Sequence, residues 1–279
     1  KKKTKNTKRK LALKTKESIN IFCCDFSFLK QVKMWKLAIY FAAFQLIFAQ
    51  KSDIPEYIKQ CRRGDPQLIE CFKGSLEHLR PYLSRGIPEI ELPSVEPFKM
   101  DALALQLTDG PQGYKITLKN LEVLGASNFQ VKSMKLSEGD EPFKARIAMP
   151  KLNIEAKYTS SGVLLIIPAS GGGDFHATFE GVVADITGKV SSNEKAGRSY
   201  LHVDSLSLVL NVKDVNMNIS GAFNNNRILL EATNLFLREN SRVVLEAMQT
   251  QLQKKLAQEF GKLANQLLKN VPKDLFYVD

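Results

Sequence analysis

The chain has 279 residues, 44% of them hydrophobic, and a formal net charge of +11, which is enough apolar material for one large domain or two small ones. The positive charge is concentrated at one end: residues 1–33 hold eleven Lys and Arg against two acidic residues, whereas residues 51–279 hold 28 basic and 27 acidic ones. Because the body of the chain is nearly neutral, the composition argues against a nucleic-acid-binding protein.

The N-terminal region has the pattern of a leader. Residues 1–33 contain no Met, and Met34 opens a short basic segment that is followed by an apolar core and the small residue Ala49. This is the arrangement of a secretory signal peptide, and the apolar core is too short to cross about 30 Å of hydrocarbon. We therefore predict a signal peptide at 34–50. Residues 1–33 are interpreted as upstream sequence translated in frame, with a native basic leader as the alternative.

Helical patterns open the predicted mature domain, residues 51–279. An Asp-Ile-Pro-Glu sequence predicts a short helix over 53–60, capped by the Asp and with Pro in its first turn. A second apolar pattern of helical period predicts a helix over 65–83, which ends before a glycine. Residues 86–97 contain three prolines and are predicted to be extended and irregular.

Between residues 100 and 219 the apolar period changes from 3.6 to 2, which is typical of strands. The predicted strand segments are 102–107, 114–124, 129–136, 143–158, 162–168, 175–190 and 200–219. Phase slips within the second and third segments indicate bulges or bends. Gly171-Gly-Gly-Asp is predicted to be a hairpin turn rather than a phosphate-binding loop. Since no helix interrupts the strands, we predict an antiparallel meander.

Residues 241–270 form one long amphipathic pattern. Its apolar stripe consists of Leu245, Met248, Leu252, Leu256, Phe260, Leu263, Leu267 and Val271. Asn240 or Ser241 is the expected cap, Pro272 ends the helix, and the length is about 45 Å. A compact small domain cannot bury such a helix, so we predict an α+β fold in which a strongly curved antiparallel sheet wraps around it. Gly261 marks the expected close approach of a strand.

Catalytic and metal-binding motifs are not recognisable. His78, His176 and His202 have no metal-ligand spacing, and no nucleophile elbow is found, so we predict no metal, no cofactor and no enzymatic activity. A Ser-His-Asp triad is neither supported nor excluded by spacing. In an oxidising compartment, a disulfide between Cys61 and Cys71 is favoured over a metal site.

The sequence also predicts a ligand-binding site and a modification site. A sheet around only one stripe of a helix leaves an interior channel, which suits an apolar ligand. The candidate channel residues are Phe98, Phe129, Met134, Phe143, Met149, Phe175, Phe179, Phe223, Leu245, Met248, Leu252, Leu256 and Phe260. Asn218 begins a glycosylation sequon, Asn-Ile-Ser, which could be used in a secreted protein.

Six segments resemble the insect takeout and juvenile-hormone-binding protein family. They are Cys61-Arg-Arg-Gly-Asp-Pro-Gln-Leu-Ile-Glu-Cys71, Leu79-Arg-Pro-Tyr-Leu, Gly86-Ile-Pro-Glu-Ile, Leu92-Pro-Ser-Val-Glu-Pro-Phe, Asn234-Leu-Phe-Leu-Arg-Glu-Asn and Val271-Pro-Lys-Asp-Leu-Phe. The resemblance implies an elongated TULIP-like domain with a hydrophobic tunnel, secretion, and a single disulfide matched by Cys61 and Cys71. A second disulfide of the moth haemolymph hormone carriers has no matching cysteines, which makes the chain more similar to takeout.

We therefore expect a secreted, monomeric carrier of a small lipophilic ligand: a juvenile-hormone-like terpenoid, a fatty acid or another lipid. No nucleic acid partner and no integral membrane span are expected, although transient contact with a receptor or a membrane is compatible with this function. The alternative is a membrane-surface lipid-transfer protein. A secreted hydrolase is the least favoured function.

Overall fold

The computed structural model describes residues 54–106, 113–137, 141–164, 167–168 and 170–278. Residues Ile54–Asp279 form one compact unit. The predicted leader and signal peptide lie outside the described residues. In the described part of the chain, no helix is both long enough and apolar enough to cross a membrane.

The predicted helix over 53–60 is wrong, because its described residues form only one turn. That turn is closed by the backbone N–H of Ile58, which donates to the carbonyl of Pro55 at 2.8 Å. The chain then extends into strand β1, Cys61–Arg62, which pairs in parallel with β10, Tyr277–Val278. The backbone N–H of Cys61 donates to the carbonyl of Phe276 at 3.0 Å, so it does not form the bond to residue 57 that would close the last turn of a helix over 53–60.

Helix α1 spans Leu68–Arg85, which confirms the second predicted helix with a start three residues later. Cys61 and Cys71 are joined by a disulfide across a Cα separation of 5.8 Å, as predicted. Since Cys61 lies on β1 and Cys71 on α1, this bond ties the first helix to the strand that pairs with the chain's end.

The predicted antiparallel sheet is confirmed. Its strands are β2, Phe98–Gln106; β3, Lys115–Leu124; β4, Gln130–Lys135; β5, Phe143–Ser161; β8, Gly171–Lys195; and β9, Arg198–Ser220. Two-residue strands β6, Val163–Leu164, and β7, Ile167–Pro168, pair only with each other within the described ranges. The strand order is β2-β3-β5-β8-β9, and β4 pairs with β5 beyond the end of β3. Within the described residues, β2, β4 and β9 therefore each have a single partner strand, and β2 and β9 are the two ends of the strand order.

At the predicted phase slips, the pairing of neighbouring strands shifts register. One lies between Lys119 and Glu122 and another between Val131 and Ser133. A third, between Lys189 and Val190 in β8, gave no recognisable signal in the sequence. Such bulges increase the local twist, which helps a long sheet to curve.

The predicted hairpin turn at Gly171-Gly-Gly-Asp is wrong. Gly171–Gly173 belong to the first part of β8 and pair with Tyr158–Ser160 of β5. At Gly173, a Cβ atom would lie 2.2 Å from the carbonyl oxygen of Ser220. Glycine is required there because the backbone of β9 comes so close, and not because the chain turns.

Two consecutive helices follow the sheet: α2, Arg227–Glu239, and α3, Ser241–Leu268. The long predicted helix is confirmed as α3, whereas α2 was not predicted as a separate helix. Asn226 caps α2 by accepting a hydrogen bond from the N–H of Leu229 at 3.2 Å. Asn240 lies between the helices, but its side chain donates back to the carbonyl of Phe236 and does not cap α3.

The apolar stripe of α3 packs against two hydrophobic clusters. Its first part, Leu245–Phe260, joins the large core under the sheet. Leu263 and Leu267 instead pack against a second cluster near the end of α1, which contains Leu79 and Ile90. The helix is therefore long because it connects two cores. Gly261 has no atom within 4 Å of the position a Cβ would take, so the predicted close approach of a strand is wrong.

Amide side chains of the helices bond to the backbone of both sheet edges. The pairs that bond twice, once as donor and once as acceptor, are Gln251 with Gln106, Asn265 with Val203, and Asn234 with Ile219, at 2.6–3.0 Å. In addition, Gln249 donates to the carbonyl of Leu210 at 2.6 Å. These side chains occupy the place that a neighbouring strand would take on β2 and β9, and they hold the helices across the open side of the sheet.

We predict that Asn265→Ala lowers the free energy of unfolding by about 1–3 kcal/mol, because two backbone groups of Val203 lose their partner. Gln258→Ala on the same helix is the matched control, with an expected change within about 0.5 kcal/mol. Urea denaturation measures both. Equal losses in the two variants would contradict this role for Asn265.

Candidate ligand-binding site

An apolar cavity of about 60 Å³ lies between the sheet and the two C-terminal helices. Its lining residues are Tyr114, Ile116, Leu118, Tyr158, Ser160, Ser170, Gly171, Phe175, Met217, Ile219, Phe223, Thr233, Phe236, Leu237, Val244 and Met248. Strands β3, β5, β8 and β9 supply one wall, and α2 and α3 supply the other. The wall from α2 is held in place by the double hydrogen bond of Asn234 to Ile219.

The chemistry of the lining is almost entirely apolar. None of the lining residues carries a charged side chain. The hydroxyl of Thr233 donates to the carbonyl of Leu229 at 2.8 Å, so it is used by its own helix. The remaining polar groups are the hydroxyls of Ser160 and Ser170 and the two tyrosine phenols. The cavity therefore suits an apolar molecule that offers few hydrogen-bonding atoms.

The two phenols remain protonated over a wide pH range. Burial raises the pKa of Tyr158 to about 12, and the nearby Tyr114 adds to the shift. Burial also raises the pKa of Tyr114, against the opposing effect of its side-chain hydrogen bond with Ser160. Both groups are therefore neutral at physiological pH and can donate a hydrogen bond to an oxygen atom.

Three of the predicted channel residues line the cavity: Phe175, Phe223 and Met248. Others lie in the same core without lining it, namely Met149, Phe179, Leu245, Leu252, Leu256 and Phe260. Phe98 is buried and its ring lies 5.7 Å from that of Phe260. The structure does not bring the remaining three predicted residues, Phe129, Met134 and Phe143, to the cavity. Phe129 packs under the guanidinium of Arg80, Phe143 packs on Gly188, and Met134 is half-buried on β4.

Sequence reasoning missed the tyrosines and the cavity wall that α2 provides. Thr233, Phe236 and Leu237 lie on a helix that the long apolar stripe did not include. Tyr158 could have been found, because it continues the alternation of Ile154 and Ala156 on β5, and Ala156 and Tyr158 are both buried. Tyr114 has the same signal, because it alternates with Ile116 and Leu118 in the predicted strand over 114–124, and all three line the cavity.

A surface cluster of Ser191, His202 and Asp204 bears on the hydrolase alternative. The hydroxyl of Ser191 donates to Asp204 at 2.7 Å, and His202 Nδ1 lies 3.1 Å from the same carboxylate oxygen. A catalytic triad instead needs the serine bonded to the histidine, with the aspartate on the far side of the ring. The hydrogen bonds from Ser191 and then His202 lower the pKa of Asp204. This cluster is a set of exposed cross-strand contacts.

The two remaining histidines and the sequon residue Asn218 lie at or near the surface. His78 Nε2 is 2.8 Å from the carbonyl of Glu56, and His176 lies 4.0 Å from Glu155. Among the described residues, no group of three His, Cys, Asp or Glu side chains could hold a metal ion. Asn218 is exposed on β9, opposite His176 of β8.

The model of the family "Haemolymph juvenile hormone binding protein (JHBP)" matches residues 37–278. The chain belongs to this family. This confirms the resemblance predicted from the cysteine-containing and C-terminal segments.

Comparisons of this chain with individual proteins agree with this assignment. The chain is 23% identical over 231 residues to "Circadian clock-controlled protein daywake" of Drosophila melanogaster, with 80% of this chain and 88% of that protein covered. The Drosophila yakuba protein of the same name is 23% identical over 232 residues, with the same coverage. The crystal structure of Epiphyas postvittana Takeout 1 superposes with a TM-score of 0.70 at 19% identity, covering 80% of this chain and all of that one. The α+β, TULIP-like fold is therefore confirmed.

We predict that Tyr158→Phe weakens the pH dependence of stability on the alkaline side. The folded-state pKa of about 12 lies above the ordinary tyrosine pKa of 10.0, so the stabilisation is complete below pH 10.0 and is lost as the pH rises towards 12. Urea denaturation across this range should show a shallower fall for Tyr158→Phe than for the wild type. The control is Tyr200→Phe, outside the cavity, and equal slopes in the two variants would contradict the assignment.

Proposed function

We propose that this protein is a secreted, monomeric carrier that holds one small hydrophobic molecule between its sheet and its C-terminal helices. The observation that carries the proposal is the uncharged, apolar cavity, on a fold shared with Takeout 1. The family name, which refers to juvenile hormone binding, supports the same class of function. Binding would be driven by burial of apolar surface, at about 25 cal/mol per Å².

The ligand expands the cavity as it binds. Ligand pockets commonly measure about 300–1,000 Å³, whereas this cavity measures about 60 Å³. Side chains of Phe223, Phe236 and Met248 line it and have to change rotamer to admit a ligand. Methionine adapts easily to such a change because it is unbranched and flexible.

A neutral ligand fits this site better than a charged one. The cavity offers neutral phenols and hydroxyls, and an unpaired charge there would lose its hydration without compensation. Within the class of terpenoids, fatty acids and other lipids, a terpenoid ester or another uncharged lipid is therefore favoured for the cavity. Tyr158 would fix its orientation by donating to one of its oxygen atoms.

We predict that Gly171→Leu blocks the cavity. Gly171 lines the cavity, lies on the same strand face as Phe175 by the two-residue period, and has no atom within 4 Å of the position of a Cβ. Affinity for an uncharged fluorescent probe, N-phenyl-naphthylamine, should fall about tenfold or more, since overfilling costs about 1–3 kcal/mol.

The control for this variant is Gly64→Leu, at a second glycine with open space around it but outside the cavity. Probe affinity should be unchanged in the control, and circular dichroism should show both variants folded. Unchanged affinity in a folded Gly171→Leu would contradict the cavity as the binding site.

A membrane-surface lipid-transfer function is the second candidate, favoured by the outer face of α2. Ile228 is 80% exposed and Leu235 is 53% exposed, and their seven-residue spacing puts them on one face. The opposite face of the same helix lines the cavity through Leu237. An exposed apolar helix directly outside the cavity could insert into a lipid surface and take up a ligand there.

The double variant Ile228→Gln with Leu235→Gln tests this function. Co-sedimentation with phosphatidylcholine vesicles should fall at least about tenfold, because each leucine-sized side chain contributes about 1.5–3 kcal/mol when buried. The control is Val209→Gln, at a β9 position that is 52% exposed. Absence of vesicle binding by the wild-type protein, or equal binding by all variants, would contradict the membrane function.

Secretion remains a prediction from the segment at 34–50. Expression in insect cells should release protein whose N-terminus is Gln50 or Lys51, measured by N-terminal sequencing. The exposed position of Asn218 leaves its sequon accessible, and we propose that the secreted protein carries a glycan there. Secreted protein that begins upstream of Met34 would contradict the signal-peptide assignment.

A further inference from the structure

A second binding space lies outside the cavity, between β9 and the polar side of α3. Among the described residues the helix is tied to the strand at three places, where Arg242 bonds to Lys213, Gln249 bonds to Leu210 and Asn265 bonds to Val203. The helical residues between the last two ties span about 24 Å at 1.5 Å per residue. Along this stretch and one turn beyond it, to Lys269, the helix and strand line a groove of about 1160 Å³.

No protein element of the described chain fills this groove. β9 is the terminal strand of the sheet, so no other described strand pairs with it on this side. Gly261 lines the groove and has no atom within 4 Å of the position of a Cβ. A glycine inside a helix costs about 1 kcal/mol relative to alanine, and here no packing contact explains it. Because Gly261 has no side chain, the groove stays wide at this position.

The groove has an apolar floor and a cationic rim. Its floor includes Leu206, Leu208 and Ala257, which are buried or half-buried. Its rim on α3 carries three lysines, Lys254, Lys262 and Lys269. The rim on β9 carries serine hydroxyls and Asp204. The groove therefore combines a surface for a hydrocarbon chain with a row of positive charges.

The charge balance of the groove favours an anion. Asp204 is the one carboxylate among its lining residues, and it accepts hydrogen bonds from Ser191 and is in contact with His202. Lys262 is bonded to Glu259 at 2.7 Å. In the described part of the chain, no carboxylate lies within ion-pair distance of Lys254 or Lys269. These two ammonium groups are available to a ligand.

We propose that this groove binds a long-chain fatty acid anion, with its hydrocarbon chain on the floor and its carboxylate at the lysine rim. This site is distinct from the cavity, whose uncharged lining favours a neutral ligand. A groove between one helix and one strand admits a single chain, so the proposed ligand is a monomeric amphiphile and not a bilayer surface. The near-neutral charge of residues 51–279 also gives little attraction to an anionic membrane.

The test compares parinaric acid, a fluorescent fatty acid, with its methyl ester in three variants of the full-length secreted protein. Gly261→Leu places a side chain in the groove and should reduce affinity for the acid about tenfold or more, while the unfolding midpoint stays equal or rises. The double variant Lys254→Gln with Lys269→Gln should weaken binding of the acid about fivefold and leave the ester unchanged. Lys255→Gln, on α3 outside the groove, is the control and should bind the acid as the wild type does.

The outcomes separate this proposal from the carrier function. If Gly261→Leu is folded and binds the acid normally, or if the lysine variant binds acid and ester alike, the groove site is wrong. If only Gly171→Leu loses the acid, the cavity binds it and the carrier proposal stands without the groove. Binding of phosphatidylserine vesicles without binding of monomeric acid would also overturn the proposal. Should Gly261→Leu fail to fold, the lysine variant and its control decide the question.

Discussion

The architecture depends on how the terminal strands β2 and β9 of a curved sheet find partners for their outer backbone groups. A terminal strand exposes backbone N–H and C=O groups that need partners. Here the amide side chains of Asn234, Gln251 and Asn265 each give one donor and one acceptor to an edge residue. An amide can do this because it carries both functions at the spacing of a peptide group. These contacts fix the helices across the open side of the sheet.

The same contacts determine where ligands can enter. Where Asn234 holds α2 against β9, the helix lies over the cavity and encloses it. From the tie at Gln249 to the end of α3, the polar side of the helix and β9 line the groove. The two spaces differ in charge, since the cavity lining is uncharged and the groove carries lysines. One fold therefore offers separate environments for neutral and anionic lipids.

Periodicity was sufficient to predict the antiparallel sheet, α1 and the long helix α3, but not α2. The two-residue alternation of the sheet and the stripe from Leu245 to Phe260 reflect burial, which the sequence encodes locally. Glycines were misinterpreted, because Gly173 accommodates the backbone of β9 and Gly261 faces open space, and neither circumstance has a local signature. The amide contacts were also invisible, since Gln251 and Gln106 are 145 residues apart. The site depends on such distant pairs, so only part of its lining could be predicted.

The central claim is that an apolar molecule occupies the cavity. Native mass spectrometry of the secreted protein, followed by extraction and identification of bound molecules, tests it most directly. The account predicts one uncharged lipid per protein chain, which is retained by Gly261→Leu and absent from Gly171→Leu. Recovery of no apolar ligand, together with no binding to a panel of lipophilic probes, would contradict it.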